Sequence, residues 1–372
     1  MKILYTGCDG VPAFLLKSIA TEITPNLTRI LNSSIESSIY PSEWKRANVK
    51  AIWKSKGSKE DPKNYRPVSI LPVLSRMFEK IISTQLYDFC EQHEVLPVEQ
   101  YGFRRKSSCE TALLAATNEW MKEIDRGKIV GALLVDLSKA FDSVPHNQLL
   151  QELLEINCSR DALMWFHSYL TNRWQRVCEC NQTTPWNEVS RGVPQGSAQS
   201  PLLFNIYVRK IPEINSSQTI QFADDITHSE AGEKTEEIVR KLGDSFVKTK
   251  EFCDSHGLQI NAEKTQFILF HAPGKRIPID TEIVIADSSL KPLKQVKLLG
   301  ITLDVGLTFG QHINSMVGNC KGLLSVLSKA APMLPSDLLR TAYISLVRSR
   351  LQYCSAVWSS ASATNRMRLD SL

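Results

Sequence analysis

No Cys-x-x-Cys pair occurs among the nine cysteines of this 372-residue sequence. Cys178 and Cys180 stand too close together for the usual zinc spacing, and no cysteine or histidine cluster follows them. That argues against a zinc module or a disulfide framework and leaves reduced thiols in a packed interior. Long apolar runs are missing too: none approaches the ~18–20 residues that span a bilayer, so no membrane partner is expected. Gly7, Cys8, Asp9 and Pro12 interrupt the N-terminal apolar patch and make it a poor secretory signal. A cytoplasmic or nuclear address follows. Charge of one sign is not in large excess, since the net charge is only +5. Such mild basicity does not by itself identify a nucleic-acid binder. There is no internal repeat and no low-complexity linker. With 42% hydrophobic and 22% charged residues, the composition is that of an ordinary globular protein with room for one large domain or several packed lobes.

What is present begins with local basic clusters. Lys45, Arg46, Lys50, Lys54, Lys56 and Lys59 form one, and Arg104, Arg105 and Lys106 another. Either suits a phosphate backbone, and either could be a solvated face. Apolar spacing predicts helices over 12–40, 72–93, 110–125, 146–156, 160–171, 201–211 and 235–256, with two more in the last seventy residues. Strands are expected at 47–53, 129–137, 266–271, 282–286 and 296–303, and hairpins over 175–190 and 219–227. The mixture is that of an α+β chain with a helical C-terminal lobe.

Four carboxylates stand out. The run IVGALLVDL (129–137) reads as a buried strand that emerges at Asp136. Asp224 and Asp225 fall at the tip of the 219–227 hairpin, and Asp142 follows the strand. Carboxylates gathered at such a place repel one another unless divalent cations neutralise them. Two magnesium ions about 3.5–4 Å apart would stabilise the attacking and leaving oxygens of an in-line phosphoryl transfer. By itself, though, an Asp-Asp pair is equally a hairpin turn or a helix cap.

The surrounding strings decide between these. VDLSKAFDSVPH (135–146), RGVPQGS (191–197) with PLLFNIY (201–207), and FADD (222–225) resemble the three catalytic blocks of reverse transcriptases from non-LTR retrotransposons of the jockey-like kind. NYRPVS (64–69), QYGFR (100–104), GLQIN with KT (257–265), LGITLD (299–304) and VRSRLQYCSAVW (347–358) are similar to further blocks, in family order, from about residue 5 to the terminus. The resemblance implies an α+β right-hand polymerase fold of fingers, a palm with an antiparallel sheet, and a helical thumb. On that reading 1–43 is an N-terminal helical extension, 44–128 mainly fingers, 129–305 palm with finger insertions near 146–190, and 306–372 a truncated thumb.

It also implies an RNA-directed DNA polymerase that joins dNTPs to a DNA primer 3′-OH on an RNA template, with RNA–DNA duplex as its product. Two Mg2+ ions, replaceable by Mn2+, would be held by Asp136 and Asp224, by the backbone carbonyl of Leu137, and less directly by Asp225. Lys264 resembles the lysine that protonates the leaving pyrophosphate. Phe141 would lie under the incoming sugar and reject a 2′-hydroxyl; the alternative is plain core packing. Lys54 and Arg66 resemble the finger residues that hold the triphosphate, with a solvated role as the alternative. Gln195 and Gly196 would approach the nucleotide, Gly192 and Pro194 the template, and Leu299 with Gly300 would belong to the primer grip. Asp142 would support the strand-to-helix turn. Nuclear residence is implied by priming at chromosomal DNA.

Three segments depart from the family pattern. Ser197-Ala198-Gln199-Ser200-Pro201 replaces Ser-Val-Leu-Gly-Pro, Val208-Arg209-Lys210-Ile211 replaces Ile-Asn-Asp-Leu, and Ala51-Ile52-Trp53-Lys54-Ser55 replaces Pro-Ile-Phe-Lys-Lys. The first of these is expected to alter the turn near the template. It motivates a second hypothesis, a catalytically decayed relative that only binds RNA or RNA–DNA duplex. Full-length relatives carry an N-terminal endonuclease, and no DNA nicking is expected from this chain, which reads as a fragment or a truncated element.

Overall fold

Ile129–Ser138 is a strand whose first five residues are all buried and whose last five alternate. The alternation turns Leu134, Asp136 and Ser138 toward the open side, so the apolar run ends by presenting a carboxylate. The computed structural model, which describes residues 6–179, 182–285, 288–370 and 372, groups the chain into two units. One comprises Met1–Pro97, Leu137–Ile211 and Phe252–Gln259; the other comprises Val98–Asp136, Pro212–Glu251 and Ile260–Leu372. Cys180 and Ala286, which fall in the close cysteine pair and the 282–286 strand, lie outside the described residues. The described cysteines are free thiols.

In the first unit, Arg46–Trp53 pairs antiparallel with Tyr65–Ile70 and parallel with Arg173–Glu179, which also takes Asn187–Val189 as an antiparallel partner. The strand Tyr65–Ile70 was not expected from the sequence. It lies at the sheet edge, where Pro67 removes no needed donor and the apolar alternation is faint. Tyr40, Phe78, Trp165 and Tyr169 stack edge-on and face-on at the heart of this unit, with centroids 5.1–6.1 Å apart around Tyr40. Fully buried Glu79 sits beside them. Its carboxylate accepts from Ser75 Oγ at 3.0 Å and from the backbone N–H of Ala198 at 3.0 Å. The helix Val73–Gln92 is thereby tied to the segment 197–200.

A second buried polar group explains one of the departures. Arg209 pairs with Glu152 and, at 3.2 Å, with Glu155, while Lys210 lies 3.1 Å from Glu152. The two cations meet acids on the helix His146–Glu155. Those cations and His256 outweigh the burial that pushes the Glu152 pKa upward, and hold it below its ordinary value. The expected helix over 201–211 stops at Tyr207, two residues before this pair.

The second unit is built on an antiparallel sheet in the order Gln266–Phe270, Ile129–Ser138, Asp225–Gly232, Gln218–Phe222. Trp120, on the helix Cys109–Asp125, stacks on Phe270 at 4.9 Å. The same core continues through Val296 and Ile313 to Trp358. The single strand expected at 296–303 is instead a hairpin, Gln295–Leu298 against Ile301–Asp304. Leu299 (φ +44°) and Gly300 (φ +87°) form its two-residue turn. Both central residues are left-handed, as a primed turn needs, yet leucine is a poor residue for the first position, which hid the turn from pattern reading. C-terminal to it, Gly310–Ala330 is a helix, and Ser336–Tyr343 continues through a wider π segment, Ile344–Arg348.

The N-terminal stretch is helical as expected, Ala13–Ser18 and Ala20–Glu36. Its apolar stripe is not core, however: Phe14 is 58% exposed and Ile30 49%. Among the described residues, no helix is long and apolar enough to cross a membrane.

Candidate active site

Asp136 and Asp225 face each other directly across neighbouring strands. Phe222 pairs with Asp225 on the other side of the hairpin, so Ala223 and Asp224 are its two loop residues. Ala223 adopts φ +57°, where glycine is the usual choice, so the tip holds local strain. Three carboxylates are thus brought to one strand end and one tip, as the sequence predicted. Lys264 Nζ stands 3.1 Å from Asp136 Oδ2, and the Asp136 carbonyl accepts from Asn261 N at 2.8 Å. The lysine therefore sits within this group, held by the turn that follows Asn261.

Electrostatics follow from that crowding. Asp225 has surface open to solvent, but its carboxyl is hemmed in by protein. This desolvation, with the charges of Asp224 and Asp136, raises its pKa to about 6, and Lys264 offsets only part of the rise. A folded-state pKa above the ordinary carboxylate value of ~4 means that the folded chain holds this proton more tightly than the unfolded one. Its stabilising effect is complete below the ordinary value and is lost as pH rises through about 6. A bound cation would remove the repulsion at neutral pH. Added Mg2+ is therefore expected to raise the melting temperature more at pH 7.5 than at pH 5. Solvent screening keeps the difference to about 1 kcal/mol or less. Equal shifts at both pH values, measured by scanning calorimetry, would contradict the assignment.

Among the described residues, no group of three or more His, Cys, Asp or Glu side chains closes into a metal cage. An open site of that kind fits magnesium, which takes one or two carboxylates and leaves its other positions to substrate phosphates and water. The unrelieved negative charge at Asp225 gives a cation a reason to bind there.

Sequence reasoning quoted Gln100 only as part of a block and gave it no role. It is 1% exposed, and its Oε1 accepts from Gly102 N at 2.8 Å and from Ala223 N at 3.0 Å. Tyr101 N donates to the Gln221 carbonyl, and Gln221 N to the Glu99 carbonyl, each at 2.8 Å. The 99–102 segment therefore fastens the hairpin just ahead of Asp224.

The remaining predicted residues, apart from the Leu299–Gly300 turn of the second unit, belong to the first unit. Gln195 Nε2 donates to Asp142 Oδ2 at 2.9 Å, and the Gln195 carbonyl accepts from Ser69 N at 2.7 Å. Asp142 thereby contacts the Gln195 loop, and its burial raises its pKa despite the bond from Gln195. Gly192 N donates to the Val144 carbonyl at 2.7 Å, and Val193 N to the Phe141 carbonyl at 2.8 Å. Backbone packs closely here: a Cβ on Gly192 would lie 2.7 Å from the Asp142 carbonyl oxygen, and one on Gly196 2.5 Å from that of Ser69. Pro194 O accepts from Ser200 Oγ at 2.8 Å. Phe141 is half-buried and stacks on buried Phe204 at 4.6 Å, so core packing accounts for one face of its ring. Leu137 is buried. Lys54 and Arg66 are both exposed on the edge hairpin, with Lys54 Nζ 2.8 Å from the Lys63 carbonyl.

Ser200, where the family has glycine, begins the helix Ser200–Tyr207 without a positive φ. Gln199 is the costly change. It is fully buried, and neither its Oε1 nor its Nε2 has a hydrogen-bond partner among the described residues. Gln199→Leu is expected to stabilise the protein by about 1–3 kcal/mol, the penalty of a buried unpaired polar group. Chemical denaturation checks this, and an unchanged midpoint would mean that the amide is satisfied.

An antiparallel sheet carrying one carboxylate on a central strand and two at an adjoining hairpin is the palm of a right-hand nucleic-acid polymerase. The reverse transcriptase (RNA-dependent DNA polymerase) family matches residues 54–303, and the chain belongs to that family. It is 28% identical to the probable RNA-directed DNA polymerase from transposon BS of Drosophila melanogaster, over 98% of this chain and 41% of that protein. It is 26% identical to the RNA-directed DNA polymerase from mobile element jockey of the same fly, over 78% of this chain and 32% of that one. The chain thus spans about two-fifths or less of the length of these relatives. Among solved structures, telomerase from Candida tropicalis in complex with a TWJ fragment of telomeric RNA aligns with a TM-score of 0.51. That alignment has 12% identity over 92% of this chain and 58% of the other, a likeness of fold alone.

Proposed function

We propose that this chain is the polymerase core of a non-LTR retrotransposon reverse transcriptase, copying RNA into DNA from a primer 3′-OH and dNTPs. The observation that carries the reading is the facing pair Asp136 and Asp225 with Asp224 at the adjoining tip. Divalent cations, Mg2+ or in its place Mn2+, would be held by Asp136, Asp224 and the Leu137 carbonyl, with Asp225 nearby. When bound they would stabilise the attacking and leaving oxygens of the transfer. The 3′-oxygen attacks the α-phosphorus, and the bond to pyrophosphate breaks. Lys264, already within reach of Asp136, supplies the proton to the leaving group. Phe141 would meet the deoxyribose, and Gln195 and Gly196 shape the nucleotide side. Gly192 and Pro194 lie toward the template, Lys54 and Arg66 hold the triphosphate, and Leu299 and Gly300 support the primer. Fingers (44–128), palm (129–305) and thumb (306–372) divide this work, in the nucleus or cytoplasm.

The test is extension of a DNA primer on an RNA template with dNTPs, beside ribonucleotides. Extension with deoxynucleotides alone supports the reading. Equal use of ribonucleotides would move it to an RNA polymerase. Gln199 favours the second reading, a decayed copy that only binds RNA or RNA–DNA duplex, because a buried unpaired amide weakens a catalytic block. Duplex binding without synthesis by the parent, and synthesis restored in Gln199→Leu, would establish that reading.

A further inference from the structure

The turn at Leu299 and Gly300 is strained, and something outside it holds it. Leucine at φ +44° sits in the left-handed region, which its Cβ disfavours. Asparagine or glycine would relieve that strain at once. The apolar side chain is nonetheless used, packed at the margin of the core.

The restraint comes from Tyr353. Its hydroxyl donates to the Leu299 carbonyl at 2.8 Å. Its ring covers the next residue, since a Cβ on Gly300 would lie 3.1 Å from Tyr353 Cε1 and 3.3 Å from the hydroxyl oxygen. The tyrosine is itself held in place. Cys354 adopts φ +48°, which turns the chain sharply just after it. The Trp358 indole donates to the Tyr353 carbonyl at 3.1 Å, and the Ala356 N–H donates to Glu110 on the helix Cys109–Asp125 at 3.0 Å. One side chain from the C-terminal helical segment therefore makes both a donated hydrogen bond and a ring contact to a two-residue turn. Tyr353 is 42% exposed, so burial alone does not account for its placement.

We infer that Tyr353 is a positioning residue that locks the Leu299–Gly300 turn against the C-terminal helices, so that the turn forms a fixed ledge for the primer strand. This rests on the polymerase reading and on the primer role proposed for the turn. A locked ledge keeps the primer terminus bound between additions. A loose one lets the duplex leave while each chemical step stays intact.

The test is steady-state and single-cycle primer extension on an RNA template with the parent, Tyr353→Phe, Tyr353→Ala, Gly300→Ala and the Tyr353→Ala/Gly300→Ala pair. Tyr353→Phe keeps the ring and loses only the hydroxyl. It is expected to raise KM for primer–template about fivefold and shorten the product run, the effect of one lost hydrogen bond, with KM for dNTP and the single-addition rate within about twofold. Gly300→Ala should act in the same direction. The double variant should be little worse than the worse single one, because both act through one turn. Unchanged primer KM and run length in Tyr353→Phe would overturn the inference. So would a uniform fall in every parameter accompanied by a lower melting temperature, which a merely structural tyrosine would give. A parent that extends no primer overturns the polymerase reading itself, and the parent lane separates that failure from the others.

Discussion

Asp136→Asn is expected to abolish primer extension, with a rate loss of at least about a thousandfold. The substitution keeps the shape of the side chain and removes its charge. Asp136 is part-exposed and paired only with Lys264 among the ion pairs described, so no buried hole is opened. The strand is held by its ladder, Leu134 to Thr227 and Val135 to Ile226, which the change does not touch. Folding and duplex binding should therefore survive, with duplex affinity changed by about twofold or less, since phosphate contacts rather than this carboxylate carry it. Retained synthesis would remove Asp136 from the chemistry. Loss of synthesis together with loss of folding would be read out by calorimetry and would require Asp136→Glu to separate the two.

Gly102→Ala should be nearly as damaging, for a steric reason. A Cβ at 102 would lie 2.2 Å from the backbone nitrogen of Ala223 and 2.8 Å from the carbonyl carbon of Phe222. Those are backbone atoms of the hairpin that presents Asp224, so the added methyl group cannot be accommodated by rotating a side chain. Moving the tip also breaks the two bonds that Gln100 Oε1 accepts from Gly102 and Ala223. A displacement of about 1 Å at reacting groups lowers a rate about a hundredfold, and overpacking lowers stability by about 1–3 kcal/mol. Gly243→Ala is the control, because a Cβ there meets nothing within 4 Å. It lies inside the helix Thr235–Ser255, where alanine is favoured by about 1 kcal/mol. Normal activity in Gly102→Ala would show that the 99–102 segment does not set the tip.

The elements that carry the carboxylates were legible from simple periodicities, and the role of the carboxylates from the resemblance of the surrounding strings to reverse transcriptases. An apolar, partly β-branched run that ends on Asp136 has the pattern of a buried strand reaching a surface, and FADD reads as a hairpin tip. The helices at 72–93, 110–125 and 235–256 were equally plain from their three- and four-residue spacing, and each is found within a few residues of those bounds. The edge strand Tyr65–Ile70 was not legible, since Pro67 and exposed neighbours mask its alternation. Nor was the turn at Leu299, where a leucine in the left-handed region contradicts local preference and is sustained by a tyrosine more than fifty positions away. Gln100 shows the same limit. Its importance lies in which backbone donors it meets after folding, and spacing along the chain carries no trace of that. Arg209 and Lys210 appear in the sequence only as a departure from the family pattern; the acids on the neighbouring helix that balance them are visible only in three dimensions.

The most direct test is extension of oligo-dT on poly-rA with Mg2+, comparing the parent with Asp224→Asn at equal, calorimetrically verified folding. The account predicts metal-dependent synthesis by the parent and none by the variant. Equal synthesis by both, or none by a folded parent, would contradict it.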